Sequence, residues 1–279
     1  MPQDISFLTR VRRALPDLHP AERRLGEMVC DFPGEVASYS AQELASLAHV
    51  SKATVSRFVR RLGYASYEAA RRHAREEERT GSRLFLAVSS GDDAETALAA
   101  NLEQATANLQ RTFASIPAAE IDAVVAALLA ARKTWVIGFR ASHPFALYLQ
   151  WQLTQVVENI VAIPAGGQTL GEHLASVRPE DLVVLFGLRR RIAGMDLLLS
   201  TIGRTGARLL YVTDEGIEPH KDATWHFRCQ TASPGPLFSH VSVMALCHLL
   251  AMRAIERAGA AARARLRAIE SLNDTLHEL

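Results

Sequence analysis

Residues 40–62 read SAQELASLAHVSKATVSRFVRRL, and this stretch decides the fold of the amino-terminal part of the chain. Ser40, followed three residues later by Glu43, forms the pattern of a capping box, which predicts that a helix begins here. Ser51 is placed to cap a second helix by accepting the amide hydrogen of Thr54. The stretch therefore predicts two short helices joined by a tight turn.

Apolar residues recur at helical spacing through both predicted helices. They are Leu44, Ala45, Leu47 and Ala48 in the first helix and Val55, Phe58, Val59 and Leu62 in the second. Gly63 then provides a stop at the carboxyl end. His49 occupies the turn position that often carries glycine, a mild departure because histidine tolerates a positive backbone angle. The apolar residues are expected to face a common core.

The opposite face of the second helix begins with short residues and continues with arginines. Such a helix suits a major groove, because its first turn reaches base edges while the long cations reach phosphates. The residues predicted to bind DNA are Ser51, Lys52, Ala53, Thr54, Ser56, Arg57, Arg60 and Arg61. The alternative is a helical hairpin whose charged face is only solvated.

The charge of residues 40–75 supports DNA binding, whereas the net charge of the whole chain does not. The 279 residues carry a formal net charge of only +1, so whole-chain basicity indicates nothing about nucleic acid. Between Ser40 and Arg75, however, seven lysines and arginines face two acids, Glu43 and Glu68. This is a compact basic footprint on a nearly neutral protein.

Cysteine usage and the amino terminus indicate a soluble, cytoplasmic protein. Cys30, Cys229 and Cys247 are far apart and odd in number, so neither a disulfide framework nor a zinc site is expected. The first residues lack the apolar core of a signal peptide. No apolar run approaches the roughly 18 residues that would span a bilayer. We expect no membrane association, no metal and no cofactor.

About the first 80 residues resemble the amino-terminal domain of the RpiR-type bacterial transcription regulators. The match lies in Glu43-Leu44-Ala45, Val50-Ser51, Ala53-Thr54-Val55, Arg57-Phe58 and Leu62-Gly63. In that family the pattern builds a helix-turn-helix. The resemblance implies a DNA-binding regulator that reads double-stranded operator DNA. We expect a homodimer or a dimer of dimers, because one such motif buries too little surface for specific affinity.

The remainder of the chain alternates apolar runs with helical stretches. Predicted buried strands are 134–139, 159–163, 181–187, 208–213 and 223–227. This alternation predicts a parallel sheet covered on both faces, a three-layer α/β domain. The predicted organisation is an all-α helix-turn-helix domain at 1–80, a linker at 81–93, and an α/β domain for effector binding and dimerisation at 94–279.

Two loops at the predicted carboxyl ends of strands are candidate ligand sites, because ligands of such sheets bind there. The first contains Gly138, Arg140 and Ser142, and the second contains Arg189, Arg190 and Arg191. Arginine suits phosphate or carboxylate through its planar fork. These six residues are the predicted effector site for a small anionic metabolite. The alternative is that the three consecutive arginines only face solvent.

The second domain also resembles the sugar isomerase (SIS) domain that RpiR-type regulators carry for effector binding. The family's first loop reads Gly-x-Gly-x-Ser, and here Gly138 and Ser142 match while Arg140 replaces the second glycine. The family's Ser-x-Ser-Gly-x-Thr loop, which cradles the phosphate of a phosphosugar, is replaced by FGLRRR. The resemblance therefore implies an effector that is phosphosugar-like or another acid. A ligand-free dimerising domain and an SIS-type phosphosugar isomerase are the alternatives.

Other polar residues give weaker indications of chemistry. His220, His226, His240 and His248 lack the close spacing or neighbouring carboxylates of metal ligands, and we expect core or helix-end histidines. Glu158, Glu172 and His173 are the acid–base candidates near predicted strand ends. Their spacing does not require catalysis, so no catalytic residue is predicted.

Overall fold

A computed structural model describes residues 7–31, 36, 39–78, 93–188, 191–192, 194–234 and 237–277. The chain divides into two compact units, Met1–Asn108 with Thr231–Ser239, and Leu109–Gln230 with His240–Leu279. The limit between Asn108 and Leu109 falls inside a long helix, and the domain boundary at residue 94 stays a prediction. Nearly all of the predicted linker at 81–93 lies outside the described residues.

The amino-terminal unit is helical, as the sequence predicts. Its described helices include α1 (Phe7–Ala14), a short 3₁₀ turn (Leu15–Asp17), α2 (Pro20–Asp31), α3 (Ala41–Leu47), α4 (Lys52–Arg61) and α5 (Tyr67–Glu78). Their apolar faces meet in one buried cluster that includes Leu25, Val29, Leu44, Val55 and Phe58. Each of these side chains is at most 1% exposed, so the cluster is the core of this unit.

Helix α3 begins where the capping box predicts. The Ser40 amide donates to Glu43 Oε2 at 2.7 Å, and the Glu43 amide donates to Ser40 Oγ at 3.3 Å. The predicted apolar face is confirmed at Leu44 and Ala45, which are each 1% exposed. It is wrong at Leu47, which is 49% exposed although it comes only three residues after the buried Leu44.

The second unit contains the five predicted strands. They are β1 (Thr134–Gly138), β2 (Ile160–Ile163), β3 (Leu182–Gly187), β4 (Arg208–Asp214) and β5 (Trp225–Cys229). The associated helices are α6 (Ala94–Ser115, which begins in the first unit), α7 (Ala118–Ala130), α8 (His143–Leu153), α9 (Gly171–Leu174), α10 (Met195–Gly203), α11 (Val241–Arg257) and α12 (Ala260–Leu276).

The five strands pair in parallel in the order β2-β1-β3-β4-β5. The register pairs Gly138 with Phe186 and Gly187 with Thr213. The carboxyl ends of β1, β3 and β4 are therefore neighbours at one edge of the sheet. That edge carries both of the predicted effector loops.

Alternate residues of each central strand enter two separate cores. Val136, Val184 and Leu210 pack against α7, α8 and α11 on one face. Ile137 and Tyr211 join the cluster that α10 covers on the other face. Because both faces are covered, the central strands consist of nearly continuous apolar residues. The predicted three-layer arrangement is confirmed.

Two helices leave much of their apolar surface uncovered. Leu98 and Leu102 of α6 are 71% and 70% exposed, and Leu272 and Leu276 of α12 are 59% and 62% exposed. Within the described parts of the chain, no single helix has the length and apolar character to cross a membrane. Helices α6 and α7, bent by 81°, meet that criterion only when taken together.

Candidate nucleic-acid interface and effector site

Helix α4 begins at a side-chain cap. The Thr54 amide donates to Ser51 Oγ at 3.1 Å, as the sequence predicts. The preceding turn places His49 at a backbone φ of 51°, in the left-handed region that glycine favours. Val55, Phe58 and Val59 then anchor one side of α4, each at most 1% exposed.

The side of α4 away from this core is basic and open. Ser51, Lys52, Ala53, Arg57, Arg60 and Arg61 are exposed, and Ser56 is half-buried. Thr54 differs from the prediction, because it is 4% exposed and points toward the core side. Its hydroxyl lies 2.9 Å from Ser51 Oγ and accepts from Arg57 Nη2 at 3.3 Å. Thr54 therefore supports its neighbours and presents no free polar group outward.

Glu22 of α2 is a residue of this surface that the sequence analysis missed. Its side chain is only 4% exposed, and its carboxylate forms ion pairs with Arg57 and Arg61. The local sequence contains no signal for this contact beyond an acid in the first turn of α2. Only the packing of α2 against α4 brings the three charges together.

The first effector loop follows β1 and is tightly constrained. A side chain at Gly138 would place its Cβ 2.5 Å from the Ser142 carbonyl oxygen, so this position has no room for one. Arg140 has a φ of 51° and therefore adopts the left-handed conformation that the glycine of the family pattern would take without strain. Its side chain is exposed, whereas Ser142 is 3% exposed.

Ser142 joins the two predicted effector loops. The amide of Leu188, just beyond β3, donates to Ser142 Oγ at 3.3 Å. Arg189 and Arg190, which come next, lie outside the described residues. The contact shows that the loops after β1 and β3 meet at the sheet edge, as their strand order requires.

Arg191 is held by a buried carboxylate. Its Nη1 donates to the Gly187 carbonyl oxygen at 3.0 Å and forms a short ion pair with Asp214. The side chains of Arg191 and Asp214 are 16% and 1% exposed. Much of the charge of Arg191 is therefore neutralised by the end of β4, which favours a structural role for this arginine.

Two histidines near the same edge were expected to be core or helix-end residues. His226 Nε2 lies 2.8 Å from Thr213 Oγ1, and the ring stacks on Tyr211 with centroids 5.0 Å apart. Burial lowers the pKa of His226 to about 4. His240 precedes α11 with its ring 5.4 Å from that of Phe145, and burial lowers its pKa as well. Burial therefore favours the neutral form of both rings.

The acid–base candidates form local surface contacts. The Glu172 carboxylate accepts from the Thr169 hydroxyl in a short hydrogen bond, and this bond lowers the pKa of Glu172. His173 Nε2 lies 2.9 Å from Gln168 Oε1. A cavity of about 580 Å³ is lined by residues of α6, α7 and α11 that include Phe113, Ile121 and Leu249. Neither Glu172 nor His173 lines it.

Two family descriptions match the chain. "Helix-turn-helix domain, rpiR family" matches residues 5–78, and "SIS domain" matches residues 127–253. Each match covers one of the architectures described above. The first contains α1 to α5 and the second contains the parallel sheet.

Two relatives match the chain over much of its length. The chain is 25% identical over 213 residues to the HTH-type transcriptional regulator HexR of Pseudomonas aeruginosa, covering 76% of this chain and 74% of HexR. The solved SIS domain of an RpiR transcription factor from Sphaerobacter thermophilus has a TM-score of 0.56 and 25% identity, covering 61% of this chain and 96% of that one.

One solved structure shares the fold over nearly the whole of this chain. The NanR protein of Vibrio vulnificus, solved in complex with ManNAc-6P, has a TM-score of 0.56 at 17% identity and covers 97% of this chain and 98% of NanR. The helix-turn-helix that contains α4 lies within the first family match, and the parallel sheet lies within the second. The chain belongs to the RpiR-type family of DNA-binding transcriptional regulators, with an amino-terminal helix-turn-helix and a carboxyl-terminal SIS domain.

Proposed function

We propose that the outer face of α4 binds the major groove of operator DNA. The observation that carries this proposal is a capped helix with a buried apolar side and an exposed basic side. The proposed contacts are Ser51, Lys52, Ala53, Ser56, Arg57, Arg60 and Arg61, while Thr54 acts through Arg57. Short residues near the first turn read base edges, and the arginines bind phosphate or guanine.

An operator is obtained by selecting duplexes from a randomised pool with the wild-type protein. The side chain of Arg60 has no ion-pair or hydrogen-bond partner among the described residues, so Arg60 serves as a test of a phosphate contact. Arg60→Ala is expected to weaken binding to all duplexes and to reduce the salt slope by about 1. An unchanged salt slope would show that Arg60 does not contact a DNA phosphate.

The regulator acts as a homodimer or a dimer of dimers, and each protomer reads one half-site. Exposed apolar side chains on α6 and α12, including Leu98, Leu102, Leu272 and Leu276, support such an interface. Sedimentation of the wild type against Leu98→Glu/Leu102→Glu tests this assignment. We expect the variant to shift toward monomer and to lose cooperative operator binding.

The SIS domain senses a small anionic metabolite at the sheet edge. Support comes from the contact between Ser142 and the Leu188 amide, and from Arg140, an exposed cation in the same loop as Ser142. NanR binds ManNAc-6P on the same fold, so a phosphosugar is the first class of ligand to test. Arg189 and Arg190 follow Leu188 directly in sequence and belong to the proposed site.

Thermal unfolding with a panel of phosphosugars and dicarboxylates identifies the effector. A ligand that binds only the folded state raises the melting temperature with concentration. Arg140→Gln and Arg189→Gln/Arg190→Gln are expected to abolish that rise while operator binding persists. A ligand that stabilises these variants as well as the wild type would place the site elsewhere.

The ion pair of Arg191 with Asp214 favours a second candidate, an SIS domain that dimerises without any ligand. In that case no anion in the panel raises the melting temperature. The named relatives are regulators, and we propose that this chain is also a cytoplasmic regulator without enzymatic activity. Turnover of a ketose or aldose phosphate would contradict that assignment.

A further inference from the structure

Glu22 is a buried acid that faces the basic surface of α4. Its side chain is 4% exposed, whereas those of Arg57 and Arg61 are 65% and 53% exposed. Arg61 Nε lies 2.9 Å from Glu22 Oε2, and Arg57 Nε lies 3.7 Å from Glu22 Oε1. One buried carboxylate therefore forms ion pairs with two guanidinium groups.

The backbone geometry of α2 and α4 makes this contact possible. Glu22 and Gly26 are four residues apart, so they lie on one face of α2. A Cβ at Gly26 would lie 3.3 Å from the Phe58 ring, which shows how closely the two helices approach. Arg57 and Arg61 are also four residues apart, and both reach the seam between the helices.

Both ion pairs approach the arginines at Nε, although Glu22 Oε2 accepts no hydrogen bond from the part of the chain that the structure describes. Arg57 is fixed a second time, because Nη2 donates to Thr54 Oγ1 at 3.3 Å. Among the described residues, the terminal nitrogens of Arg61 form no hydrogen bond. A guanidinium reads guanine or clamps a phosphate through two parallel hydrogen bonds, so its orientation decides whether both form.

We propose that Glu22 is a positioning residue for sequence readout, orienting Arg57 and Arg61 of α4. This inference rests on the DNA contact proposed above for α4. A carboxylate beside DNA repels phosphates and lowers affinity for every duplex. Orientation of the two arginines favours only the duplex whose bases and phosphates match them. Glu22 therefore lowers general affinity and raises selectivity.

Glu22→Gln separates these two effects, because it keeps the size of the side chain and removes its charge. Binding is measured to the selected operator and to a scrambled duplex of the same composition, across a range of salt concentrations. We expect the ratio of operator to scrambled affinity to fall about tenfold, the scale of one lost base contact. Affinity for the scrambled duplex is expected to stay equal or to rise, with a salt slope steeper by up to about 1.

Glu68→Gln is the matched control. It removes one negative charge from the same domain at an exposed site, where the ion-pair partner is Arg71 of α5. We expect its operator-to-scrambled ratio to match that of the wild type. If both variants lose the same selectivity, net charge explains the effect and the positioning role is overturned.

A double-mutant comparison tests whether Glu22 acts through its partners. In the Arg57→Ala/Arg61→Ala background, Glu22→Gln is expected to leave the remaining selectivity unchanged. A further loss there would overturn the proposal, as would equal weakening on both duplexes by Glu22→Gln alone. If the wild type itself shows no preference among duplexes, the proposed DNA contact of α4 is contradicted. The positioning role of Glu22 is then contradicted as well, because it depends on that contact.

Discussion

Replacing Arg140 by glycine should stabilise the protein while removing effector binding. Arg140 has a φ of 51°, and among the described residues its exposed side chain has no hydrogen-bond or ion-pair partner. A non-glycine residue in the left-handed region costs about 1–2 kcal/mol. Glycine relieves this strain but loses about 0.5–1 kcal/mol through its greater freedom in the unfolded chain. We expect a net gain of about 0.5–1 kcal/mol for Arg140→Gly.

Urea unfolding measures that gain. With an m value of about 2 kcal/mol/M, the midpoint should rise by roughly 0.3–0.5 M. His49→Gly is a matched control, because His49 has the same φ of 51° in the turn before α4. Both variants should gain stability, but only Arg140→Gly should lose the ligand-induced rise in melting temperature. A midpoint lowered by Arg140→Gly would refute the argument and assign the arginine a structural role.

Three further predictions concern hydrogen bonds and protonation. Ser142→Ala removes the acceptor of the buried Leu188 amide and should cost about 1–3 kcal/mol in urea unfolding; an unchanged midpoint would mean that this bond contributes nothing. Ser51→Ala removes the cap of α4 and should cost about 1 kcal/mol, measured as lost helicity and a lower midpoint; full retention of both would contradict the assigned cap. Burial lowers the pKa of His226 to about 4, below its unfolded value near 6.5, so the unfolded chain binds more protons between these limits. Stability should therefore fall as pH drops from about 6.5 to about 4, and His226→Gln should flatten this dependence; an equally steep decline in the variant would assign it to other groups.

Much of the fold could be predicted because its determinants are local. The capping pair of Ser40 and Glu43 and the apolar spacing of Val55 and Phe58 each depend on residues within one or two helical turns. Buried parallel strands are recognisable because both faces are covered and the apolar run is continuous. The prediction for Leu47 is wrong because periodicity does not tell which other helices cover each apolar residue: Leu47 is 49% exposed while the next residue, Ala48, is 7% exposed.

The parts that could not be predicted depend on contacts between distant residues. Glu22 meets Arg61 across 39 positions of sequence, and Arg191 meets Asp214 only because β3 and β4 are neighbours. Thr54 shows the limit of a helical-wheel argument. A threonine can belong to the polar side by sequence and still bury its hydroxyl against a capping serine.

The central claim is that the exposed side of α4 lies against duplex DNA. Operator affinity of Lys52→Ala and Arg57→Ala, measured beside their melting temperatures, tests it most directly. We expect each variant to bind the selected operator about tenfold or more weakly, on the scale of a lost base or phosphate contact, while remaining folded. The melting temperature should be unchanged for Lys52→Ala and lower for Arg57→Ala, which removes one ion-pair partner of the buried Glu22. Wild-type affinity in both variants would contradict the claim.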